Sequence, residues 1–140
     1  MIVLDTNVLS EPLRARPDPA VMRWLDHLAE EVAVTAISVG EIVAGVGALP
    51  AGRRREDLAY AVEESFAEFA QLVLPYDERS AREFAAMHES RRLAGRPLDT
   101  VDGMIAAICR SRNLRLATRN GKDFRHLGVE LIDPWATRLS

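Results

Sequence analysis

Five oxygen-bearing side chains stand where apolar segments of the sequence give way to polar ones. Asp5 directly follows the apolar run "MIVL", and Glu41 follows "VAVTAIS" by a few residues. Asp102 lies in "TVDGMIAA", while Asn120 and Asp123 lie in "TRNGKDF", just past "LRLAT". If the fold gathers these side chains at one edge, their carboxylates repel each other unless a cation joins them. A ligand set made of oxygen atoms favours a hard cation, Mg²⁺ or Mn²⁺.

Each acid also has an explanation that requires no site. Asp5 is well placed to cap a helix that starts soon after it. Glu41 forms a capping-box pattern with Ser38 in "SVGE". Asp102 would favour the dipole of its own helix, and Asp123 suits a turn. For any single residue the structural explanation is the stronger one, and the functional hypothesis depends on all of them falling at one edge of a sheet.

Strand-like segments are spread along the chain in a way that predicts such a sheet. Four strands are predicted in "MIVL", "VAVTAIS", "QLVLPYD" and "LRLAT", and a short fifth in "VELI". Most of these runs are apolar nearly throughout, which indicates a parallel sheet covered on both faces. Ligands bind to such sheets beyond the carboxyl ends of the strands, which is where Asp5 and Asn120 lie.

Helical patterns fill the segments between these strands. The first helix has Asp18 as its N-cap and Pro19 at its first position. Its apolar stripe comprises Val21, Trp24, Leu25 and Leu28. The segment "VGEIVAGVGAL" and a long helix over residues 54–69 form a predicted helical hairpin. Further helices are predicted over residues 79–94 and in "TVDGMIAAICRSRN".

Length and composition exclude several classes of protein. A chain of 140 residues is most simply one domain spanning residues 1–140. It has no apolar run near the ~20 residues of a membrane span and no signal peptide, so we expect a cytoplasmic protein without membrane contact. A net charge of −3 lacks the basic footprint typical of nucleic-acid binders, yet allows an enzyme that acts on nucleic acid through metal ions. The single cysteine, Cys109, is predicted to be buried and reduced.

The segments "MIVLDTNVLS", "AISVGEIVAGV", "PLDTVDGMIAAI" and "LATRNGKDF" together resemble a known family. In order and spacing they are similar to the four motifs of PIN-domain proteins, most closely those of the VapC and FitB toxins of type II toxin–antitoxin pairs. The resemblance implies an α/β three-layer sandwich, with a parallel sheet of four or five strands flanked by helices and a helical hairpin. It also implies a Mg²⁺-dependent ribonuclease, with Mn²⁺ as an alternative ion.

The same resemblance implies partners and site residues. The expected partners are an RNA substrate, a cognate antitoxin and a second copy of the chain, with a heterotetramer or larger assembly once the antitoxin binds. Asp5, Glu41 and Asp102 match the three acids of the family's metal site. The family's fourth acidic position is variable, and either Asn120 or Asp123 fills it here. Because Asn120 would be a neutral ligand at this position, it stays open whether the site holds one metal ion or two.

Several further residues are candidates for supporting roles. Thr6 and Thr118 match hydroxyls that orient the carboxylates or a water bound to the metal. Asp99 is interpreted as a cap or a rim residue. Arg119 is either a phosphate ligand or a solvated loop arginine. Residues 53–55 and 91–92 are arginine runs that either contact RNA or form solvated faces.

The predicted hairpin, residues 41–69, carries more apolar surface than one side of a thin sheet needs. We predict that part of it forms a groove for an apolar antitoxin segment, while the alternative is that all of it is core. The residues concerned are Ile42, Val43, Val46, Leu49, Leu58, Val62, Phe66 and Phe69.

Three other functions fit the residues less well. A haloacid-dehalogenase phosphatase requires a second aspartate where Asn7 stands, and a phospho-receiver requires paired acids after the first strand. A zinc hydrolase is disfavoured because the three histidines have no ligand spacing. The remaining alternative is a PIN-fold protein that acts mainly as the antitoxin-bound partner in a DNA-binding repressor complex, with weak or no nuclease activity.

Overall fold

A five-stranded sheet runs through the computed structural model, which describes residues 1–136. The strand order is β3-β2-β1-β4-β5, and every neighbouring pair is parallel. The bounds are β1 Ile2–Leu4, β2 Val32–Thr35, β3 Val73–Leu74, β4 Arg115–Ala117 and β5 Leu131–Ile132. The chain builds outward from β1 on one side through β2 and β3, and later on the other through β4 and β5. The strand order therefore reverses between β1 and β4, where open parallel sheets bind ligands.

Within residues 1–136, seven α-helices and one 3₁₀ turn connect and cover these strands. The helices are α1 Thr6–Ser10, α2 Pro19–Asp26, α3 Ala36–Gly47, α4 Arg53–Phe69, α5 Glu78–Leu93, α6 Thr100–Ser111 and α7 Gly121–Phe124, and the 3₁₀ turn is Glu11–Leu13. None of them is both long and apolar enough to span a membrane. The predicted single domain of residues 1–140 includes residues 137–140, which lie outside the described part.

The sheet separates two hydrophobic cores because successive strand residues point to opposite faces. Ile2 and Leu4 face a core completed by α1 to α4, whereas Val3 between them faces a core completed by α5, α6 and α7. Cys109 of α6 is fully buried in the second core, and burial raises the pKa of its thiol to about 12. The prediction of a buried thiol is confirmed.

The predicted start of α2 is confirmed, and so is its apolar stripe. The Asp18 side chain accepts a hydrogen bond from the amide of Ala20 at 2.8 Å, and Pro19 occupies the first helical position. Val21, Trp24 and Leu25 are buried, and Leu28 packs against the same core.

The predicted strand "VAVTAIS" is too long. It ends at Thr35, and its last three residues form the first turn of α3. Thr35 is the N-cap, because its hydroxyl accepts a hydrogen bond from the amide of Ser38 at 3.1 Å. Ser38 is therefore not the cap, and Glu41 lies in the middle of α3 rather than at its start. An apolar run does not by itself distinguish a buried strand from a buried helical turn.

Gly103 in the first turn of α6 lies directly beneath two side chains. A Cβ at this position would stand 2.7 Å from Leu98 Cδ2 and 2.8 Å from Phe84 Cε2, closer than core side chains pack. We expect Gly103→Ala to lower the free energy of unfolding by about 1–3 kcal/mol, measured by urea denaturation. Gly45→Ala in α3 is the matched control, because nothing lies within 4 Å of its added methyl group. The control should raise stability by up to about 1 kcal/mol, and equal effects of the two changes would contradict the packing described here.

Candidate active site

Asp5 lies at the point of the sheet where the strand order reverses. It follows β1, and its amide donates to the carbonyl of Ala117 at the end of β4 at 2.9 Å. The residue is only 3% exposed. It also caps α1, so the structural explanation and the site hypothesis apply to the same side chain.

Both oxygens of the Asp5 carboxylate are held by hydrogen bonds. The Thr6 amide donates to Oδ1 at 2.8 Å, and the Thr118 hydroxyl donates to Oδ2 at 2.7 Å. Burial raises the pKa of Asp5, and the two hydrogen bonds act in the opposite direction. Thr118 is in turn oriented by the backbone amide of Asn120, 3.0 Å from its oxygen. The carboxylate is thus fixed in direction while each oxygen keeps a lone pair for a further ligand.

Glu41 reaches the same place from α3. The Thr6 hydroxyl donates to Glu41 Oε1 at 2.7 Å and lies 2.8 Å from the hydroxyl of the buried Ser38. Thr6 therefore orients two acids, Asp5 through its amide and Glu41 through its hydroxyl. The sequence analysis did not predict that Ser38 belongs to this network. Its position three residues before Glu41 places both side chains on one helix face.

Asp102 lies in the first turn of α6, beside the other acids. Its amide donates to the N-cap Asp99 at 3.0 Å, which confirms Asp99 as a cap. Burial raises the pKa of Asp102 to about 6, and the negative charges of Asp99, Asp5, Asp123 and Glu41 add to that effect. Its carboxylate accepts no hydrogen bond from any residue among 1–136. Of the other four predicted site residues, three therefore lie within electrostatic reach of Asp102, namely Asp5, Glu41 and Asp123.

Asn120 and Asp123 occupy α7 and its start, past the end of β4. Asn120 is the exposed N-cap of α7 and makes no side-chain capping hydrogen bond. Its contact with the site runs through its backbone amide to Thr118. Asp123 is also exposed, and its charge contributes to the raised pKa of Asp102. Which of the two fills the fourth position stays a prediction.

The donor atoms of this pocket suit a hard cation. Among residues 1–136, no three or more His, Cys, Asp and Glu side chains form a group that could hold a metal ion as they stand. Carboxylates of like charge repel each other when no cation lies between them, and this repulsion adds to the effect of burial in raising the pKa of Asp102. The donor set consists of oxygen atoms, and the Asp102 carboxylate has both of its own available. In the chemistry of their donor atoms and in their charge, these residues fit a divalent ion.

Arg119 is held at the rim beside the pocket. Its amide donates to Asn7 Oδ1 at 3.4 Å, and its guanidinium lies 5.2 Å from the centroid of the Trp135 ring. That distance is within the range of a cation–π contact. Arg119 is therefore not merely a solvated loop residue, although no spacing in the sequence pairs it with Trp135.

Comparison with known proteins places this geometry in a family. The profile of the PIN domain matches residues 2–130. The chain belongs to the PIN-domain family. This PIN domain is 39% identical to toxin FitB of Neisseria gonorrhoeae, over 96% of the chain and 99% of FitB. It is 38% identical to VapC ribonuclease Y4jK of Sinorhizobium fredii, over 96% of the chain and 98% of that protein.

A solved structure of FitAB bound to an IR36 DNA fragment is similar to this PIN domain in fold as well. The TM-score is 0.90 at 37% identity, and the match covers 99% of both chains. The predicted family is confirmed, and so is the predicted α/β fold with its parallel sheet flanked by helices.

The burial of Asp102 and its crowding by other acids predict a pH-dependent stability in the absence of divalent cations. The pKa of about 6 lies above the 3.8 of an unperturbed aspartate, so the folded chain binds more protons than the unfolded chain between these values. The contribution of this group to stability is therefore lost as pH rises from about 4 to about 6. Asp102→Asn should raise the free energy of unfolding at neutral pH by about 1 kcal/mol, after allowance for solvent screening.

This gain should vanish below about pH 4, where the carboxyl is protonated. The measurement is urea denaturation in EDTA at both pH values. Asp57→Asn on the exposed face of α4 is the control and should change little. A neutral-pH gain no larger than that of the control would show that the acids do not crowd Asp102.

Proposed function

We propose that this PIN domain is a divalent-metal-dependent ribonuclease, the toxin of a type II toxin–antitoxin pair. The observation that carries the proposal is the buried Asp5 carboxylate, fixed by Thr6 and Thr118 and coupled electrostatically to Glu41 and Asp102. A relative at 38% identity is named a VapC ribonuclease, which supports the same reaction.

Asp5 and Asp102 are the side chains that would hold the ion, Mg²⁺ or Mn²⁺, with Glu41 as a direct or water-mediated ligand. When bound, the ion supplies Lewis acidity toward a phosphate oxygen and toward water. Either Asn120 or Asp123 completes the fourth position. Asn120 would contribute a neutral oxygen and Asp123 a charged one, and a second stably bound ion favours the charged ligand.

The side chains of the pocket align the reactants. Thr118 and Thr6 prevent the Asp5 carboxylate from rotating, because each of its oxygens accepts one hydrogen bond. Thr6 fixes Oε1 of Glu41 and leaves Oε2 to orient the attacking water or to accept its proton. The water oxygen bonds to phosphorus in line with the departing ribose oxygen, whose bond to phosphorus breaks. Positioning a nucleophile in this way is worth several kcal/mol of the barrier.

Asp5→Asn is the direct test of the catalytic assignment. The amide keeps the shape and the capping oxygen but removes the charge that holds the ion, so the fold should survive. RNA cleavage in Mg²⁺ should fall by roughly a hundredfold or more. Cleavage of a fluorogenic RNA is the measurement, and Asp57→Asn is the charge-matched control. If Asp5→Asn cleaved RNA as fast as the unmodified chain, Asp5 would be a helix cap alone.

A cognate antitoxin is the proposed protein partner, in a heterotetramer or larger assembly built on a homodimer. FitAB was solved as a complex bound to DNA, which supports an assembly of this kind. In this chain a groove of about 380 Å³ lies between α1, the 3₁₀ turn, α3 and α4. Its apolar wall comprises Leu13, Ile42, Val46, Leu58 and Val62. Thr6 and Glu41 line the same groove, so an apolar segment bound there would end at the acidic pocket.

Most apolar side chains of the hairpin, including three of the groove wall, also pack in or against the first core. Ile42 and Val62 are buried, and Val46, Phe66 and Phe69 pack against the first core. Of the eight residues considered, only Val43 is exposed, at 49%. The predicted groove therefore occupies only part of the hairpin surface.

A larger side chain at Gly45 should block this groove. Gly45 lines the groove on α3, and nothing lies within 4 Å of a Cβ built there. We expect Gly45→Gln to weaken binding of the cognate antitoxin about tenfold or more, since it removes apolar contact area. Calorimetry measures the affinity. Gly40→Gln lies on the same helix outside the groove and should bind normally.

Cleavage by the free Gly45→Gln chain should be unchanged, because the substitution lies outside the acidic pocket. An affinity equal to that of Gly40→Gln would place the antitoxin on another surface.

A second function is supported by the DNA-bound FitAB complex. In this alternative, the present chain acts mainly as the antitoxin-bound partner in a DNA-binding repressor, with weak or no nuclease activity. Purified chain that cleaves no RNA in Mg²⁺ or Mn²⁺, yet increases the affinity of its antitoxin for promoter DNA, would establish this alternative.

A further inference from the structure

A second cavity opens beside the acidic pocket, and the arginine and lysine side chains of its wall outnumber the aspartates. It has a volume of about 560 Å³ and lies between the loop before α6, the first turn of α6 and the segment from α7 to residue 126. Asp102 lines it, so it is continuous with the site. Its cationic side chains are Arg91, Arg96, Lys122 and Arg125, with His126 beside them.

Asp99, Asp102 and Asp123 line the same cavity, yet three of its cations have no direct partner within residues 1–136. No hydrogen bond or ion pair there engages the side chains of Arg96, Lys122 or Arg125. Several arginines nearby are paired, for example Arg92 with Glu89 and Arg110 with Glu83, each at 2.7 Å. The cations of the wall also do not neutralise Asp102, because every charge that shifts the pKa of Asp102 is negative. They are therefore available to a ligand.

Arg91 holds this wall in place. Its guanidinium donates to the carbonyl of Asp123 at 3.0 Å and to that of Arg125 at 3.2 Å. It thus ties α5 to the segment after α7, where His126 adopts a positive φ of 64° that non-glycine residues seldom take. The two arginines at residues 91–92 therefore have different roles. Arg91 connects two segments of the fold, and Arg92 pairs with Glu89 on the surface.

We propose that Arg96, Lys122 and Arg125 bind the backbone phosphates of single-stranded RNA next to the phosphate that is cleaved. The inference rests on the proposed nuclease function, because it takes the acidic pocket as the place of the reacting phosphate. An anionic polymer that presents one phosphate to the acids must lay its neighbouring phosphates on the adjoining wall. The wall supplies unpaired cations at that place, which compensates locally for a chain whose net charge is −3.

The test is RNA binding as a function of salt, in the Asp5→Asn background so that RNA stays intact. Removing two of the cations, as Arg96→Gln with Arg125→Gln, should reduce the slope of log K against log salt by about 1.4, or about 0.7 for each contact on a single strand. The dissociation constant for a fluorescein-labelled oligouridine should rise roughly tenfold at physiological salt.

Two further pairs of substitutions are the controls. Arg16→Gln with Arg23→Gln removes the same charge from exposed positions outside the cavity, and should leave the slope unchanged. Arg96→Lys with Arg125→Lys keeps the charges and should keep the slope. If the cavity pair and the outer pair change the slope equally, or if neither changes it, the proposal is wrong.

The two proposals fail in different ways. If the unmodified chain cleaves RNA but the cavity pair binds with an unchanged slope, the nuclease stands and this RNA path is overturned. If the unmodified chain cleaves no RNA while the cavity pair alone loses salt-dependent binding, the RNA surface stands without the nuclease. Absence of any oligouridine binding overturns the RNA surface.

Discussion

The burial of one charge-bearing group, the Asp5 carboxylate, constrains the rest of the structure. An unpaired buried carboxylate is costly, and its folded position is tolerated only where hydrogen bonds replace water. Thr6 is the next residue and supplies one such bond, and Thr118, just past the end of the neighbouring strand β4, supplies the other. β1 and β4 must therefore be neighbours in parallel register for the carboxylate to be satisfied.

The hydrogen-bond partners of Asp5 also position other elements of the fold. Thr6 connects Asp5 to Glu41, so α1 and α3 are positioned by the same hydroxyl. Thr118 connects Asp5 to the backbone at Asn120, which sets the start of α7. Arg91 then ties the end of α7 to α5. Hydrogen bonds thus position Asp5, Glu41 and the segment around α7, whereas Asp102 is positioned by α6 and its cap Asp99.

The sequence predicted the parts of this arrangement that follow from periodicity and strand polarity. Asp5, Glu41, Asp102 and Asp123 could be placed at one edge because parallel strands end together. The boundary between β2 and α3 at Thr35 could not be predicted. The choice between strand and helix there depends on a cap formed by Thr35 itself. α1 has only five residues, too few for a helical period to show. Contacts such as Arg119 with Trp135 depend on how two loops meet after the sheet has formed, and no local pattern records that.

The bond between Thr118 and Asp5 joins residues 113 positions apart. During synthesis, Asp5 leaves the ribosome long before its partner has been translated, and the central strand of the sheet lacks one neighbour until β4 emerges. Asp102 and α7 are delayed in the same way. A pocket whose parts lie this far apart in the sequence cannot assemble before β4 and α7 have been synthesised. The topology itself thus keeps these acids apart until residue 124 has left the ribosome.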